Sequence, residues 1–257
     1  MADLRRTPSV QHAVALMRDT VQATVVEMEK LDAAEITISL NPGRRLFKPL
    51  MEGQSIDWAI RQLKLEKREK NIAPNIGLVE AFAPYARGKS IPWFRECQPH
   101  FYPIGSGVTI PVRPAGFWAE GGKLRVLWPQ CWKGRTLDRL QKAIFHTILL
   151  DTFFVGDFKG ADLEWVDLRE QAPRQGRDIE ILPGEALGKV SRGDLADYLG
   201  ILRAAFDQHA AAKASRRVAE KAVTKGKPSD TPLFGDDLPT SPSPYAQGLT
   251  GGEEDER

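Results

Sequence analysis

Apolar positions along this chain first recur at helical spacing, and then, from about residue 108, increasingly at strand spacing. Val14, Met17, Val21, Thr24, Met28 and Leu31 alternate steps of three and four, which predicts one helical stripe opened by Thr7-Pro8-Ser9. Residues 35–40 alternate and predict a strand, followed by a turn at Asn41-Pro42-Gly43. Ser55 caps a predicted helix running through Lys70, with Ile56, Ile60 and Leu63 on one face, and a second helix is expected from about Pro74 to Tyr85.

Residues 108–112 read as a strand that Pro111 pushes toward an edge, inside the proline- and glycine-rich stretch 99–114. Residues 117–120, the Gly121-Gly122 turn and residues 123–128 form the clearest hairpin in the chain. Thr136 or Asp138 begins a helix through about Phe154, with Leu137, Leu140, Ile144 and Ile148 on its buried stripe and Gly156 at its end. Residues 161–168 set Leu163 and Trp165 against Asp162 and Glu164, the pattern of a half-buried strand, and residues 177–182 add an edge strand. Ser191 caps a last helix with Leu195, Leu199, Leu202 and Phe206 on one face.

Together these elements predict an α/β (α+β) domain over residues 1–207. Its central mixed sheet has four to five strands flanked by helices, with an N-terminal helix and strand as an extension. Beyond Ala210 large apolar residues give way to alanines and bases, so residues 208–227 read as a basic helical extension. Residues 228–257 hold too few large apolar residues to fold and are expected to form a disordered acidic tail.

Composition narrows the class. A chain of 257 residues, 42% hydrophobic and 27% charged, can bury a substantial core. Five of its six tryptophans fall between positions 93 and 165, which places the main core there. The longest apolar run, residues 143–155, is interrupted by His146 and Asp151 and is shorter than the roughly 20 residues that cross a bilayer, so no membrane partner is expected. The opening MADLRRTPSV has no apolar run after its arginines, and the two cysteines, Cys97 and Cys131, form no CxxC pair. A cytoplasmic protein without a zinc site is the expectation.

Charge points to a partner. Residues 228–257 carry seven acids and one base, so a net charge of +2 for the chain leaves +8 on the first 227 residues. A basic body suits a polyanion. Arg44, Arg45 and Lys48, interleaved with Leu46 and Phe47, are candidate phosphate contacts, as are Arg113, Lys133, Arg135, Arg216 and Arg217. Each has a plainer alternative: a solvated strand edge for the first group, an ordinary turn for Lys133, a fraying helix end for the last pair. Arg87-Gly88-Lys89-Ser90 resembles the end of a phosphate-binding loop, but Ala83 stands where the glycine is needed and no strand precedes it. Trp118, Trp128 and Trp132 offer faces for unpaired bases but suit a core better, and Cys131 and His146 read as buried structural groups.

From about residue 74 to 168 the order is helix, strand, strand, strand, helix, strand. This order, with Gly116 before the second strand, Lys133 closing the third, and Gln141 one turn before Phe145 on the following helix, resembles the PD-(D/E)XK nuclease superfamily and its RecB-like branch. The resemblance covers roughly 40% of the chain and is mainly topological. It implies a nucleic-acid partner, DNA or RNA, and carboxylates that hold Mg²⁺ to activate water. Here Cys131 stands at the family's last acidic position, and Trp118 or Ala119 at its aspartate. The resemblance therefore implies an inactive descendant with no cofactor: a non-catalytic accessory protein of the sort found in bacterial mobile elements or phage-related systems. Two alternatives stand beside it. One is an active divergent nuclease that uses Glu120 and Lys133, with Glu80 or Glu96 as a further Mg²⁺ carboxylate. The other is a protein-only adaptor that docks through the 14–31 helix or the 228–257 tail.

Overall fold

A four-stranded sheet separates two hydrophobic cores, and nearly every other element packs on one of its faces. The computed structural model describes residues 8–34, 38–89, 91–105, 107–132, 136–170 and 176–225, the last seven by their backbone alone. The chain divides into two units, Met1–Ala214 and Ser215–Arg257. Within the second, the described residues are helical. The expected tail, 228–257, lies outside the described residues.

The helices are α1 (Val10–Leu16), α2 (Val21–Ala33), α3 (Asn41–Arg44), α4 (Phe47–Met51), α5 (Ile56–Leu63), α6 (Glu69–Arg87), α7 (Arg139–Thr152) and α8 (Arg192–Lys225). The strands are β1 (His100–Gly105), β2 (Val108–Val112), β3 (Gly116–Glu120), β4 (Lys123–Gln130), β5 (Asp162–Asp167) and β6 (Glu180–Pro183). The order β3-β4-β5-β6 makes a mixed sheet: β4 pairs antiparallel with β3 and parallel with β5, and β6 closes the edge antiparallel. The mixed α+β class is thus as expected.

The β3–β4 hairpin forms because Gly121 and Gly122 both take positive φ, 60° and 79°, which a two-residue turn of this kind requires. Strand β4 carries Pro129 in mid-sheet at little cost. Its β3 partner ends at Gly116 opposite Leu127, so the missing N–H falls where that ladder has already stopped. On one face of the sheet, Val126, Trp128, Leu163 and Trp165 pack with α1, α7 and α8. Phe145 of α7 stands edge-on between Trp128 and Trp165, at ring distances of 4.7 and 5.0 Å. On the other face, Trp118, Leu127 and Val166 pack with Phe47, Leu78 and Phe82 from the α3–α6 layer. Strand β5 is covered on both sides, not half-buried as its alternation predicted; even Glu164 and Asp167 are only 5% and 2% exposed.

Several local expectations are corrected. The single N-terminal helix is two. Met17 turns extended, the Arg18 guanidinium caps the carbonyls of Ala15 and Met17, and the Thr20 hydroxyl accepts from Ala23 N to start α2. Of the predicted 35–40 strand, residues 38–40 are not in a strand and the rest lies outside the described residues. Asn41-Pro42-Gly43 is the first turn of α3, because Asn75 reaches across from α6: its Oδ1 accepts from Gly43 N at 2.7 Å and its Nδ2 donates to Ser39 O at 2.8 Å. The helix capped at Ser55 stops at Leu63, seven residues short of Lys70, and α6 starts at Glu69. Residues 108–112 do form a strand, but β2 pairs with β1 in a separate two-stranded ribbon and not in the main sheet. Among the described residues a single antiparallel bridge, Arg95 to Phe117, extends the main sheet beyond β3.

Candidate functional site

Two groups of charged residues stand out: one interlocked and largely buried at the turn end of the sheet, the other exposed on the α3–α6 layer and mostly without ion pairs among the described residues.

The first is built around Glu164, which β5 presents toward α6. Both of its oxygens are occupied. Oε2 accepts from the Tyr85 hydroxyl at 2.7 Å, Lys89 Nζ donates to both oxygens at 2.9 Å, and an Arg125 Nη donates to Oε1 at 2.8 Å. Glu120, the last residue of β3, shares the same two cations, 2.9 Å from Arg125 Nε and 3.6 Å from Lys89 Nζ. The Lys89 ammonium also lies 5.1 Å from the Tyr85 ring centre and 5.4 Å from that of Trp118. Burial alone would raise the pKa of Glu164, but hydrogen bonds from Lys89 and Tyr85, the Lys89 charge and the Arg125 hydrogen bond outweigh it and hold the carboxyl below its ordinary value. The Tyr85 hydroxyl is pushed upward, by burial first and by the Glu164 charge second.

At this cluster the carboxylate donors are already engaged by cations of the fold. Glu120 and Glu164 are brought together, but two internal cations already bridge them, and Glu80 and Glu96 take no part in the cluster and are exposed. Among the described residues no three His, Cys, Asp or Glu side chains converge as a metal site would need. The carboxylates present here do not fit Mg²⁺.

Other residues singled out by the sequence have structural duties. Gln141 completes a capping box with Asp138 at the start of α7, and Phe145 is core. Gly116 admits no side chain: a Cβ there would lie 2.3 Å from the Phe94 ring and 2.5 Å from Arg95 O. Cys131 is buried, its thiol pushed up to about 11 by burial, and its carbonyl accepts from Arg177. His146 Nδ1 bonds the Gly188 carbonyl at 2.7 Å, so that nitrogen carries the proton, and burial lowers the pKa of the ring. Trp118 and Trp128 are core, while Trp132 is half-buried with His12 against its ring at 4.8 Å.

The second population lies on residues 38–89, which hold ten Lys and Arg against five Asp and Glu, a net +5. Arg44 and Arg45 are exposed at the end of α3; Lys48 sits on α4 with Glu52 4.0 Å away. Arg61, Lys64, Lys67, Arg68 and Lys70 are exposed around the corner between α5 and α6. Among the described residues no ion pair engages Arg44, Arg45 or any of these five. Cations elsewhere commonly are paired, as Lys30 with Glu27, Arg203 with Asp207 and Lys213 with Asp32. The asparagine bonds from Asn71 and Asn75 to Ser39 and Gly43 tie α3 to the first turns of α6, so both groups of cations occupy the same end of the layer.

Of the remaining candidate contacts, Arg113 is exposed in the link between β2 and β3, and Arg216 and Arg217 are exposed on α8 in the second unit. Lys133 and Arg135 lie outside the described residues. The Lys89–Glu164 cluster had no signature to find in the sequence, since its members are up to 79 positions apart. The α5–α6 cations are visible there as a run of charges at the end of the helix capped at Ser55, with nothing in the run itself to say whether they pair.

Comparison with protein-family models, curated proteins and solved structures yields no match to this chain.

Proposed function

We propose that this chain is a non-catalytic, nucleic-acid-associated protein with a degenerate nuclease-like core, and that the α3–α6 layer supplies its phosphate contacts. The observation that carries this reading is the concentration on one helical layer of exposed Lys and Arg, seven of which form no ion pair among the described residues. A cation held by a carboxylate has little left to offer a phosphate, whereas a free one releases counterions when it binds. Of the expected order, helix α6, strands β3 and β4, helix α7 and strand β5 remain around the main sheet, while residues 108–112, read as its first strand, pair outside it. The non-catalytic part of this reading rests on the cluster at Glu120 and Glu164, where Lys89 and Arg125 already engage the two carboxylates.

The test is a binding titration against single- and double-stranded DNA and RNA at two salt concentrations, with Mg²⁺ present and product lengths checked. Binding that weakens steeply with salt, with strands left intact, is expected. Cleavage abolished by Lys133→Ala would overturn the non-catalytic reading, and an absence of binding at low salt would overturn the nucleic-acid reading altogether.

A further inference from the structure

Leu65 is the most exposed of the large apolar side chains described, at 76%. It stands in the corner between α5 and α6, where Arg61 and Lys64 precede it and Lys67, Arg68 and Lys70 follow. The corner is built, not frayed. Leu65 N donates to Gln62 O, Glu66 N to Leu63 O and Asn71 N to Arg68 O, and the Glu66 carboxylate accepts from Arg68 N at 3.3 Å. Its inner side is anchored by Leu63, 2% exposed in the core under the layer. Leu65, held in water by ordered backbone and flanked on both sides by exposed cations, belongs to neither hydrophobic core.

We propose that this corner docks on duplex DNA from the minor-groove side, with Leu65 as a wedge at a base step and the surrounding cations on the flanking phosphates. Charge complementarity selects the partner. Five exposed cations surround Leu65 in the chain, two before it and three after, and none is committed to a carboxylate among the described residues. The wedge selects the form of nucleic acid. A branched aliphatic group cannot stack on a splayed base as an aromatic ring does, but it can pry open a flexible step in a duplex and kink it. The inference rests on the nucleic-acid reading above and adds the contact, the form of the partner and a consequence for its shape.

The experiment is a fluorescence energy-transfer measurement on the full chain with an end-labelled duplex of about 25 base pairs, an ordinary span for a bent site, carrying a central TA step. Wild type is expected to bind and shorten the end-to-end distance. Leu65→Ala is expected to bind with the same salt dependence and an affinity loss below about tenfold, but without the shortening, and Leu65→Phe to restore it. The double variant Lys67→Ala/Arg68→Ala is expected to flatten the slope of log K against log salt by about 1.8, at about 0.9 for each phosphate left unneutralised. Because Leu65 is exposed, Leu65→Ala leaves the core untouched. Wild-type binding without shortening, shortening by Leu65→Ala equal to wild type, or tighter binding to single strands would overturn the wedge and leave the nucleic-acid reading standing. No binding of any strand at low salt would overturn both.

Discussion

Replacing Lys89 by methionine isolates the charge at the centre of the buried cluster. Methionine keeps most of the aliphatic stem and removes the ammonium, which bonds both oxygens of Glu164 and reaches Glu120. The side chains of Glu164 and Lys89 are 7% and 17% exposed, so solvent can replace little of the missing interaction. Glu164 keeps Tyr85 and Arg125, so the carboxylate is weakened in its support and not abandoned. Full removal of a partner from a buried pair costs about 3–5 kcal/mol, and a shared carboxylate should lose somewhat less, about 2–4 kcal/mol at neutral pH. The pH dependence separates charge from packing. The Glu164 carboxyl is held below its ordinary value, so its contribution is complete above the unfolded value, about 4.3, and is lost as pH falls through the folded one. Urea denaturation of wild type and Lys89→Met, followed from about pH 7 into acid, should therefore give a large gap at neutrality that narrows as Glu164 becomes protonated, toward about 1 kcal/mol, the share of the aromatic contacts. A gap under about 0.5 kcal/mol at pH 7, within the range of exposed pairs, would refute the reasoning, as would a gap that does not change with pH.

Gly116→Ala should destabilise the chain by more than about 3 kcal/mol in the same assay, because the new methyl would meet the Phe94 ring at 2.3 Å and backbone Arg95 O at 2.5 Å. His146 has its folded pKa lowered by burial, so stability should begin to fall as pH drops below about 6.5 and level off once the folded pKa is passed. His146→Asn, whose amide can still donate toward Gly188 O, should flatten this slope in chemical denaturation between about pH 7 and about pH 5. Burial pushes the Cys97 thiol up to about 12 and Cys131 up to about 11, so iodoacetamide at mildly alkaline pH should label neither in the native chain and both in urea. Rapid native labelling of Cys131 would contradict its placement.

The parts of the fold legible in the sequence are those whose signals are local. Gly121-Gly122 announced the β3–β4 hairpin, Thr136 or Asp138 announced the start of α7, which Asp138 caps, and Ser191 announced α8, where its hydroxyl accepts from Asp194 N. What failed depends on partners distant in the chain. The alternation at residues 38–40 carried no information about Asn71 and Asn75, which hold that segment against α6 instead of in a sheet. The stripe from Val14 to Leu31 continued across the break at Arg18 because both α1 and α2 bury apolar residues in the same core. Strand β1 was hidden by Pro103 and by Phe101, which is 60% exposed where a core strand would bury it. For the site, the rejection of Arg87–Ser90 as a phosphate loop agrees with Arg87 ending a helix, yet Lys89 proved central for a different reason, its reach to β5.

The unequal distribution of paired and free charge sets how this surface can drift. A change at Lys89, Arg125, Glu120 or Glu164 weakens the support of each of its partners, so those four positions are coupled. Among the described residues the cations around the α5–α6 corner form no ion pair, and a phosphate backbone of the kind proposed above would respond chiefly to their sum. Lysine lost at one position there can be regained at the next, so related chains should keep the total charge of this layer while exchanging the positions that carry it.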